Sequence, residues 1–427
     1  MTPPIVIVGG GTAGCTVAAH LASRTPHDIV VVEPGGVSPF DDLRGFHDVL
    51  ATPGLTRTID ARVVSGGPVR PFVEARALGG GSAINGMILS GDPPAELADL
   101  TRRARVDELG PVSRALIACG GEPARLWWNG GRWNPGRAIA HLIEEGRVSH
   151  VAGDVTGIVA SDRRTAVVVN EADFEVEIDA AVVVLCAGAI ATPALLLASG
   201  FGTINAAIGV GVQNHPQITF ALHLREGVNS GSAPRATTFD AAALVRGRGR
   251  DGRSHLIFGY ERASAVDDRF GLVSALLMDV DSRGVVSLEG DGPVVDFNVL
   301  ATDTDRCAMV DAVRHLVEVS TSPAMASVAR SVAIDAHGTP LAHVAKADDD
   351  ELTSWILGHV EVASHATSSC AGAVDPHGRL QGFERVWVAD ASVLGTAPAC
   401  TPAAPVTMEA RRIAHRIHES LSAGETT

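Results

Sequence analysis

The sequence predicts an α/β protein in which a Rossmann-like dinucleotide-binding domain is joined to an α+β domain built on an antiparallel sheet. Two patterns predict this fold: a strand, glycine loop and helix near the N-terminus, and alternating apolar residues in the middle of the chain. The 427 residues suffice for two or three domains. The formal net charge of −15 argues against nucleic acid as the main ligand, because phosphate binding needs clustered positive charge.

The N-terminal pattern reads as a strand over residues 5–8, a helix over about residues 13–23 and a second strand over residues 29–32. The glycines between the first strand and the helix have the GxGxxG spacing. Gly9 allows the tight turn, Gly11 lets a pyrophosphate approach the backbone, and Gly14 lets the helix pack on the strand. This combination predicts dinucleotide binding.

Two further features support that prediction. The start of the helix, at Thr12 and Ala13, offers backbone N–H groups and a partial positive charge to phosphates. Glu33 ends the second strand about 20 residues after the loop, where a carboxylate can accept hydrogen bonds from a ribose diol. The spacing does not choose between NAD and FAD.

A second glycine loop covers residues 76–87, with the sequence RALGGGSAINGM. Three glycines before a small polar segment predict a loop pressed flat against a planar ligand. The Asn85 side chain and nearby backbone N–H groups are available to the polar edge of that ligand.

Strand patterns at residues 148–155 and 180–186 are expected to complete the nucleotide-binding sheet. Residues 180–199 carry no charge and are long enough to span a bilayer. However, Gly188 interrupts this stretch, and Thr192 and Pro193 suit the N-cap and first position of a helix. A strand, a turn and a helix are therefore predicted, and no transmembrane segment.

Residues 216–364 alternate between apolar and polar side chains, as at 220–224, 256–258 and 285–288, which predicts an antiparallel sheet. A strand at residues 385–388 leads to Asp390. After a proline-rich crossing, a helix is predicted from Pro402 and Ala403 to about His418. A helix that starts beside a flavin can stabilise negative charge on the reduced flavin with its positive end.

The six cysteines are scattered and form no CxxC pair, so neither a structural zinc site nor a disulfide framework is expected. No metal site is predicted. A strand begins almost at the first residue, so no signal peptide is expected, and the cytoplasm is the predicted compartment.

Taken together, four blocks resemble the glucose-methanol-choline (GMC) family of FAD-dependent oxidoreductases. They are the first glycine loop with Glu33, the loop at residues 76–87, residues 185–200 with residues 209–216, and residues 365–408. The resemblance implies a GMC fold with a discontinuous FAD-binding domain at residues 1–92, 148–215 and 365–427. It implies a substrate-binding domain at residues 216–364, with part of residues 93–147.

The resemblance also implies noncovalently bound FAD. Ile84 occupies the position of a histidine that tethers the flavin in some relatives, and residues 76–87 contain no cysteine. The implied cofactor-binding residues come from all four blocks and the strand at 148–155. They are Gly9, Gly11, Thr12, Ala13, Gly14, Glu33, Arg76, Gly80, Ser82, Asn85, Gly86, Met87, Val155, Ala187, Gly188, Asp390, Ala391, Pro402 and Ala403.

The activity that the family implies is the oxidation of a small-molecule alcohol, with hydride transfer to flavin N5 and oxygen, a quinone or another carrier as final acceptor. His365 matches the family's active-site histidine, and histidine suits a general base because its pKa lies near working pH. His215 and His359 are the nearest competitors for a direct role. Phe258, Tyr260 and Trp355 are candidate pocket residues.

The sequence departs from the family pattern in three ways. Ser368 and Ser369 replace the usual Gly-Thr pair after the active-site histidine. Thr401 stands where the family has a second catalytic residue, His or Asn; its hydroxyl can bind a substrate oxygen but cannot act as a base at neutral pH. The chain is also shorter than typical members.

Four alternatives remain open at this point. The segment from Thr396 to Ala404 is similar to a subgroup tied to the redox peptide mycofactocin, which suggests a mycofactocin-linked dehydrogenase. A hydroxynitrile lyase-like enzyme would keep flavin as a structural group, and a light-driven decarboxylase would need blue light. The fourth is a nucleotide-binding regulatory module without turnover.

Overall fold

The computed structural model describes residues 2–37, 45–161, 163–171, 174–228, 239–290 and 292–424. Its α-helices are α1 (Thr12–Leu21), α2 (Phe46–Leu50), α3 (Gly81–Ile84), α4 (Pro111–Ala118), α5 (Pro135–Glu144), α6 (Gly188–Ala198), α7 (Asp303–Thr321), α8 (Pro323–Val328), α9 (Ala342–Ala345), α10 (Asp349–His359) and α11 (Ala403–Gly424).

The strands in the first half of the chain are β1 (Ile5–Val8), β2 (Ile29–Val32), β3 (Thr56–Arg62), β4 (Val69–Ala75), β5 (Ile88–Leu89), β6 (Arg102–Arg103), β7 (Glu122–Pro123), β8 (Arg125–Leu126), β9 (Ser149–Val151), β10 (Asp154–Ala160), β11 (Thr165–Glu171), β12 (Phe174–Asp179), β13 (Val182–Leu185) and β14 (Val210–Val212). Those in the second half are β15 (Pro216–Leu224), β16 (Ala243–Arg248), β17 (Ser254–Tyr260), β18 (Phe270–Leu277), β19 (Gly284–Glu289), β20 (Gly292–Asp296), β21 (Ala329–Ala333), β22 (Glu361–Val362) and β23 (Val386–Val388).

The predicted Rossmann-like sheet is confirmed. It is parallel, with the strand order β23-β13-β1-β2-β9. β1 and β13 are fully buried, as expected for strands covered on both faces. Apolar residues of α1 and α11 pack against one face, and those of α6 and β11 pack against the other.

The strand predicted at residues 148–155 is divided between two sheets. β9 extends the parallel sheet beside β2. Val155 instead lies in β10, which belongs to an antiparallel layer with the order β10-β11-β12. The chain turns at Gly153, where a Cβ atom would meet the Val169 side chain at 2.6 Å, so a larger residue would not fit there.

The middle of the chain contains the predicted antiparallel sheet, with the order β21-β15-β18-β17-β16-β7 and β22 beside β15. Residues 285–288 do not join it. They lie in β19, in a sheet with the order β14-β19-β20-β3-β4. β3 pairs in parallel with β20, so this sheet joins early and late parts of the sequence. The division of the chain into the two domains stays a prediction.

Helix α6 begins at Gly188 and not at Thr192 and Pro193, so the predicted helix start is wrong. The Thr192 hydroxyl accepts a hydrogen bond from the Ala187 N–H at 3.1 Å. Pro193 lies inside the helix, where it lacks the N–H that would bond the Ala189 carbonyl. The Ser369 hydroxyl donates to that carbonyl at 2.5 Å and so replaces the missing bond.

Residues 180–199 fold as β13, a turn and α6. In the part of the chain that the structure describes, no helix combines the length and apolar character needed to cross a membrane. Helix α11 starts at Ala403, as predicted, and continues past His418 to Gly424.

The backbone at Ser368 is left-handed, with a φ of +74°. The residue is buried, and its N–H donates to the Ala391 carbonyl at 3.0 Å. Left-handed backbone costs a residue with a side chain about 1–2 kcal/mol, whereas glycine adopts it freely. The serine that replaces the family's glycine is therefore strained.

We expect Ser368→Gly to raise the free energy of unfolding by about 1 kcal/mol, because it removes the left-handed penalty. Chemical denaturation of the purified protein at neutral pH measures this change. A lower stability of the glycine variant would contradict the assignment of strain.

Two control variants separate backbone strain from side-chain bonding. Ser368→Ala removes the hydroxyl and keeps the left-handed penalty, so it should not stabilise the protein. Ser369→Ala should lower the free energy of unfolding by about 1–3 kcal/mol, because it leaves the buried Ala189 carbonyl without its donor.

Candidate active site

The two glycine loops pack backbone against backbone. Gly9 has a φ of +95°, and a Cβ atom on Gly14 would lie 1.9 Å from the Gly9 carbonyl oxygen. The Gly79 N–H donates to the Gly10 carbonyl at 2.8 Å. A Cβ atom on Gly80 would lie 2.7 Å from the Cα atom of Gly11. Side chains at these positions would push the loops apart.

The start of α1 is open on the side of these loops. Gly11 is the N-cap residue and provides no side-chain cap. Among the described residues, no acceptor is bonded to the backbone N–H groups of Thr12, Ala13 and Gly14. A Cβ atom on Gly11 would meet no atom closer than 3.8 Å. Unpaired amides at the positive end of a helix form a site for an anion such as a pyrophosphate.

The Thr12 and Ser82 side chains tie the two loops together. The Thr12 hydroxyl lies 2.9 Å from the Ser82 hydroxyl and 3.2 Å from the Gly79 carbonyl oxygen. The Ser82 hydroxyl donates to the same carbonyl at 2.6 Å. Thr12 and Ser82, both predicted binding residues, therefore hold the two glycine loops and the start of α1 in place. We call this surface the cradle.

Glu33 is buried beside the first loop. Its two carboxylate oxygens accept the N–H groups of Gly10 and Gly35, each at 3.0 Å. Burial raises the pKa of this carboxyl group, and the two backbone hydrogen bonds oppose the rise. Each oxygen keeps a second acceptor position, which a ribose hydroxyl can use.

Asp390 holds the turn before α6. Its carboxylate accepts hydrogen bonds from the Gly188 N–H at 2.8 Å, the Thr192 hydroxyl at 2.6 Å and the Ser392 N–H at 2.8 Å. The Ala187 N–H bonds the same threonine. Asp390, predicted as a cofactor contact, thus supports the backbone of Ala187 and Gly188.

The loop around Asn85 is held by a residue that the sequence analysis missed. The buried Arg132 guanidinium donates to the Asn85 carbonyl at 2.6 Å. Burial lowers the pKa of Arg132 to about 10. The Asn85 side chain accepts the Met87 N–H at 2.9 Å, and Met87 has a left-handed φ of +62°. No motif distinguishes Arg132 among the many arginines of this chain.

Two predicted cofactor residues, Arg76 and Val155, do not bond the glycine loops through their side chains. The exposed Arg76 guanidinium pairs with Asp154 at 3.3 Å. Val155 is half-buried in β10. Arg76 still contributes its backbone, since a Cβ atom on Gly35 would lie 2.2 Å from the Arg76 carbonyl oxygen.

His365 lies in the loop after β22 and forms a pair with His215. The two Nδ1 atoms are 2.9 Å apart, and the rings meet edge to face. The other ring nitrogen of His215, Nε2, lies 3.0 Å from the Pro398 carbonyl oxygen. Among the described residues, the Nε2 atom of His365 has no hydrogen-bond partner. It is therefore the available nitrogen of this pair.

Asn214 fixes the backbone of both histidines. Its Oδ1 atom accepts the His215 N–H at 2.9 Å and the His365 N–H at 3.2 Å. The Gln213 and Thr367 backbones exchange two hydrogen bonds of 3.0 Å beside it. The loop that carries His365 is thus fastened to residues 213–215.

Both histidines of the pair are neutral at pH 7. Burial lowers the pKa of His215 to about 4, against an opposing contribution from the bond to Pro398. Burial, and then the neighbouring His215, lower the pKa of His365 well below its usual value. A neutral imidazole with one unbonded nitrogen is a proton acceptor.

Thr401 is bonded reciprocally to Ser90. The Thr401 N–H donates to the Ser90 hydroxyl at 2.8 Å, and the Thr401 hydroxyl oxygen accepts the Ser90 N–H at 3.2 Å. Within the described residues, no hydrogen bond joins Thr401 to His365. The Thr401 hydroxyl proton is left to donate elsewhere. Helix α11 begins just after it, and the Pro402 carbonyl accepts the Val406 N–H at 2.9 Å.

The structure brings two of the three predicted pocket residues together. Tyr260 stacks on Phe46, with ring centroids 5.2 Å apart, and meets Phe258 edge to face at 5.3 Å. A Cβ atom on Gly86 would lie 3.6 Å from the Tyr260 hydroxyl, so this group borders the second glycine loop. Trp355 lies on α10 and stacks on His359 at 4.5 Å.

Comparison with protein families gives two matches. Both family models are described as GMC oxidoreductase; one matches residues 136–217 and the other residues 280–410. These residues include α6, the buried segment 213–215, the His365 loop and the start of α11.

The similar curated proteins include oxygen-dependent choline dehydrogenases. That of Yersinia pestis (strain Pestoides F) is 26% identical over 286 residues, which cover 55% of this chain and 49% of that protein. That of Paraburkholderia phymatum is 24% identical over 361 residues, which cover 72% of this chain and 60% of that protein. The chain spans about half the length of the curated relatives it matches first.

The solved structures that it resembles share its fold over almost the whole chain. Pyridoxine 4-oxidase from Mesorbium loti superposes with a TM-score of 0.82, at 19% identity, covering 98% of this chain and 99% of that one. A formate oxidase variant of Aspergillus oryzae RIB40 gives 0.79 at 18% identity, covering 98% of each chain. The chain belongs to the GMC oxidoreductase family, whose cofactor is FAD.

Proposed function

We propose that the protein oxidises an uncharged small alcohol, with His365 accepting the hydroxyl proton. The observation that carries this proposal is the His365 imidazole, whose Nδ1 atom lies 2.9 Å from His215 Nδ1 and whose Nε2 atom bonds no group among the described residues. Burial holds the pKa of this imidazole well below its usual value, which favours the neutral form. FAD, when bound, supplies the acceptor for the hydride that leaves the alcohol carbon.

The cradle supports FAD as its ligand. The amides of Thr12, Ala13 and Gly14, which no acceptor of the described residues bonds, suit a pyrophosphate, and Glu33 has acceptor positions left for a ribose. The Asn85–Gly86 backbone, held by Arg132, would border the ring system. We assign the other predicted cofactor residues to this cradle as part of the same proposal.

The charges near Tyr260 support an uncharged substrate. The Asp240 carboxylate is bonded to the Arg262 guanidinium at 3.0 Å, and Glu261 accepts the Val112 and Ser113 N–H groups at the start of α4. Both carboxylates are buried and engaged, so neither is offered to a cation such as choline. The aromatic surface of Phe46, Phe258 and Tyr260 suits an apolar or aromatic alcohol.

The decisive experiment is anaerobic mixing of the purified protein with a panel of aliphatic, aromatic and cationic alcohols. Bleaching of the flavin absorbance by an uncharged alcohol supports the proposal. Admitting oxygen, or a quinone dye, to the bleached protein then identifies the acceptor. A flavin that no alcohol reduces would contradict alcohol oxidation.

We expect the flavin to be FAD and to be noncovalently bound, because Ile84 cannot form a covalent link to a flavin. Acid precipitation should leave the yellow colour in the supernatant, where chromatography against FAD, FMN and NAD standards identifies it. Colour retained in the pellet, or FMN in the supernatant, would show that the expectation is wrong.

We expect His365→Ala to slow anaerobic flavin reduction by about 10²–10⁴-fold, the usual contribution of a positioned base. The flavin content should not change. Stopped-flow measurements on flavin-normalised protein test this, with His359→Ala as the matched control, because His359 is exposed at the end of α10. A folded His365→Ala variant that reduces flavin at the wild-type rate would refute the assignment.

The rate of flavin reduction should fall at acidic pH. Because the pKa of His365 is lowered, the competent neutral form persists below pH 6.5, the usual histidine value. The wild-type rate of flavin reduction should therefore be constant above that pH and fall only in more acidic solution. In His365→Ala, this acid limb should disappear.

We expect Thr401→Val to slow flavin reduction by about 5–150-fold, which corresponds to about 1–3 kcal/mol for a lost hydrogen bond to substrate oxygen. Thr401→Ser should retain the rate. Ser90→Ala is the control, because it disturbs the same backbone clamp and leaves the Thr401 hydroxyl. If Thr401→Val and Ser90→Ala lose equal factors in the rate of flavin reduction, Thr401 only supports the start of α11 and does not bind the substrate oxygen.

A further inference from the structure

The second ring nitrogen of His215 fixes where its proton lies. Nε2 is 3.0 Å from the Pro398 carbonyl oxygen, and a carbonyl can only accept a hydrogen bond. Nε2 must therefore carry the proton. The alternative arrangement would leave two lone pairs facing each other in a fully buried position.

The position of that proton determines the tautomer of the next ring. A neutral imidazole has one N–H, so with Nε2 protonated, the Nδ1 atom of His215 is an acceptor. The atom 2.9 Å away is Nδ1 of His365, which must then be the donor. The proton of neutral His365 is thus on Nδ1, and its lone pair is on Nε2, the nitrogen without a partner among the described residues.

From this geometry we infer that His215 is a positioning residue, which holds His365 in the tautomer whose free Nε2 atom can accept a proton. The inference rests on the proposed role of His365 as the base. During the reaction the proton moves from the substrate oxygen to His365 Nε2, while the Nδ1 proton stays and donates to His215. The Pro398 carbonyl cannot take a proton, so no proton leaves the pair beyond His215, and the pair serves to orient the base.

The surroundings of His215 keep this arrangement fixed. Asn214 Oδ1 holds the backbone N–H groups of both histidines, so the rings keep their relative positions. Gln213 accepts hydrogen bonds from the Ala397 N–H at 2.9 Å and the Thr396 hydroxyl at 3.1 Å, which anchors the segment that carries the Pro398 carbonyl. Three separate segments therefore converge on one proton arrangement.

The direct test is ¹⁵N NMR of the histidine-labelled protein, recorded with bound flavin and again after the flavin is removed. The His365 and His215 signals are assigned by their loss in single variants. We expect His365 to be protonated on Nδ1 and His215 on Nε2 near pH 7.5. A native protein in which His365 is protonated on Nε2 would overturn the inference, whatever the activity.

Two substitutions of His215 test its role in catalysis. His215→Gln can still donate to Pro398 but has no acceptor at the Nδ1 position. His365 should therefore gain the tautomer that is protonated on Nε2. Flavin reduction should then slow at least about tenfold. His215→Asn can place its Oδ1 atom near that position, so it should restore the Nδ1–H signal and part of the rate. Flavin content should match the wild type in both.

The outcomes separate this inference from the proposed function. If His365→Ala is inactive while His215→Gln keeps both the native His365 tautomer and the wild-type rate, the role of His215 is refuted and His365 remains the base. If His365→Ala is fully active, the proposed function fails, and NMR still decides the tautomer. A rate loss in His215→Gln without a change of tautomer overturns the inference as well.

Discussion

The buried polar segment Gln213–Asn214–His215 is the constraint on which the rest of the site depends. Each of its side chains bonds another stretch of the chain: Gln213 reaches the Val280 and Ser282 carbonyls, Asn214 the His365 loop, and His215 both His365 and the stretch before α11. A buried polar group without a partner is costly, so a shift of any one stretch would break several bonds at once. The position of His365 is therefore set by a network and not by its own loop.

The cradle of the two glycine loops is built on a different principle from the His215–His365 pair. Its contacts come mainly from backbone atoms, and glycines allow the two loops to approach each other at distances that no side chain permits. The predicted binding side chains mostly serve this backbone: Asp390 supports Gly188, and Ser82 supports Gly79. Backbone amides vary little with sequence, whereas the chemistry near His365 depends on individual side chains.

This difference explains how much the sequence could predict. The strand–loop–helix around Gly9 and the Rossmann-like sheet follow from local spacing, and the structure agrees with them. His215 lies 150 positions from His365 in sequence, so no local pattern links them. The partnership of Pro193 with Ser369 likewise appears only once the backbone is folded, because a missing N–H is invisible until its acceptor has a position. The roles assigned to the site residues stay predictions.

The parallel sheet places β1 between β2 and β13, and β23 lies on the far side of β13. The cradle thus joins the first strand to Asp390, which follows β23 and lies 202 positions beyond Gly188, the residue whose turn it holds. Contacts so distant in sequence form late in folding. A nascent chain can form the first βαβ unit, but it cannot present the complete cradle until Asp390 has been synthesised. Capture of a cofactor by the complete cradle therefore follows the pairing of β23 with β13, because that pairing brings Asp390 to the Gly188 turn.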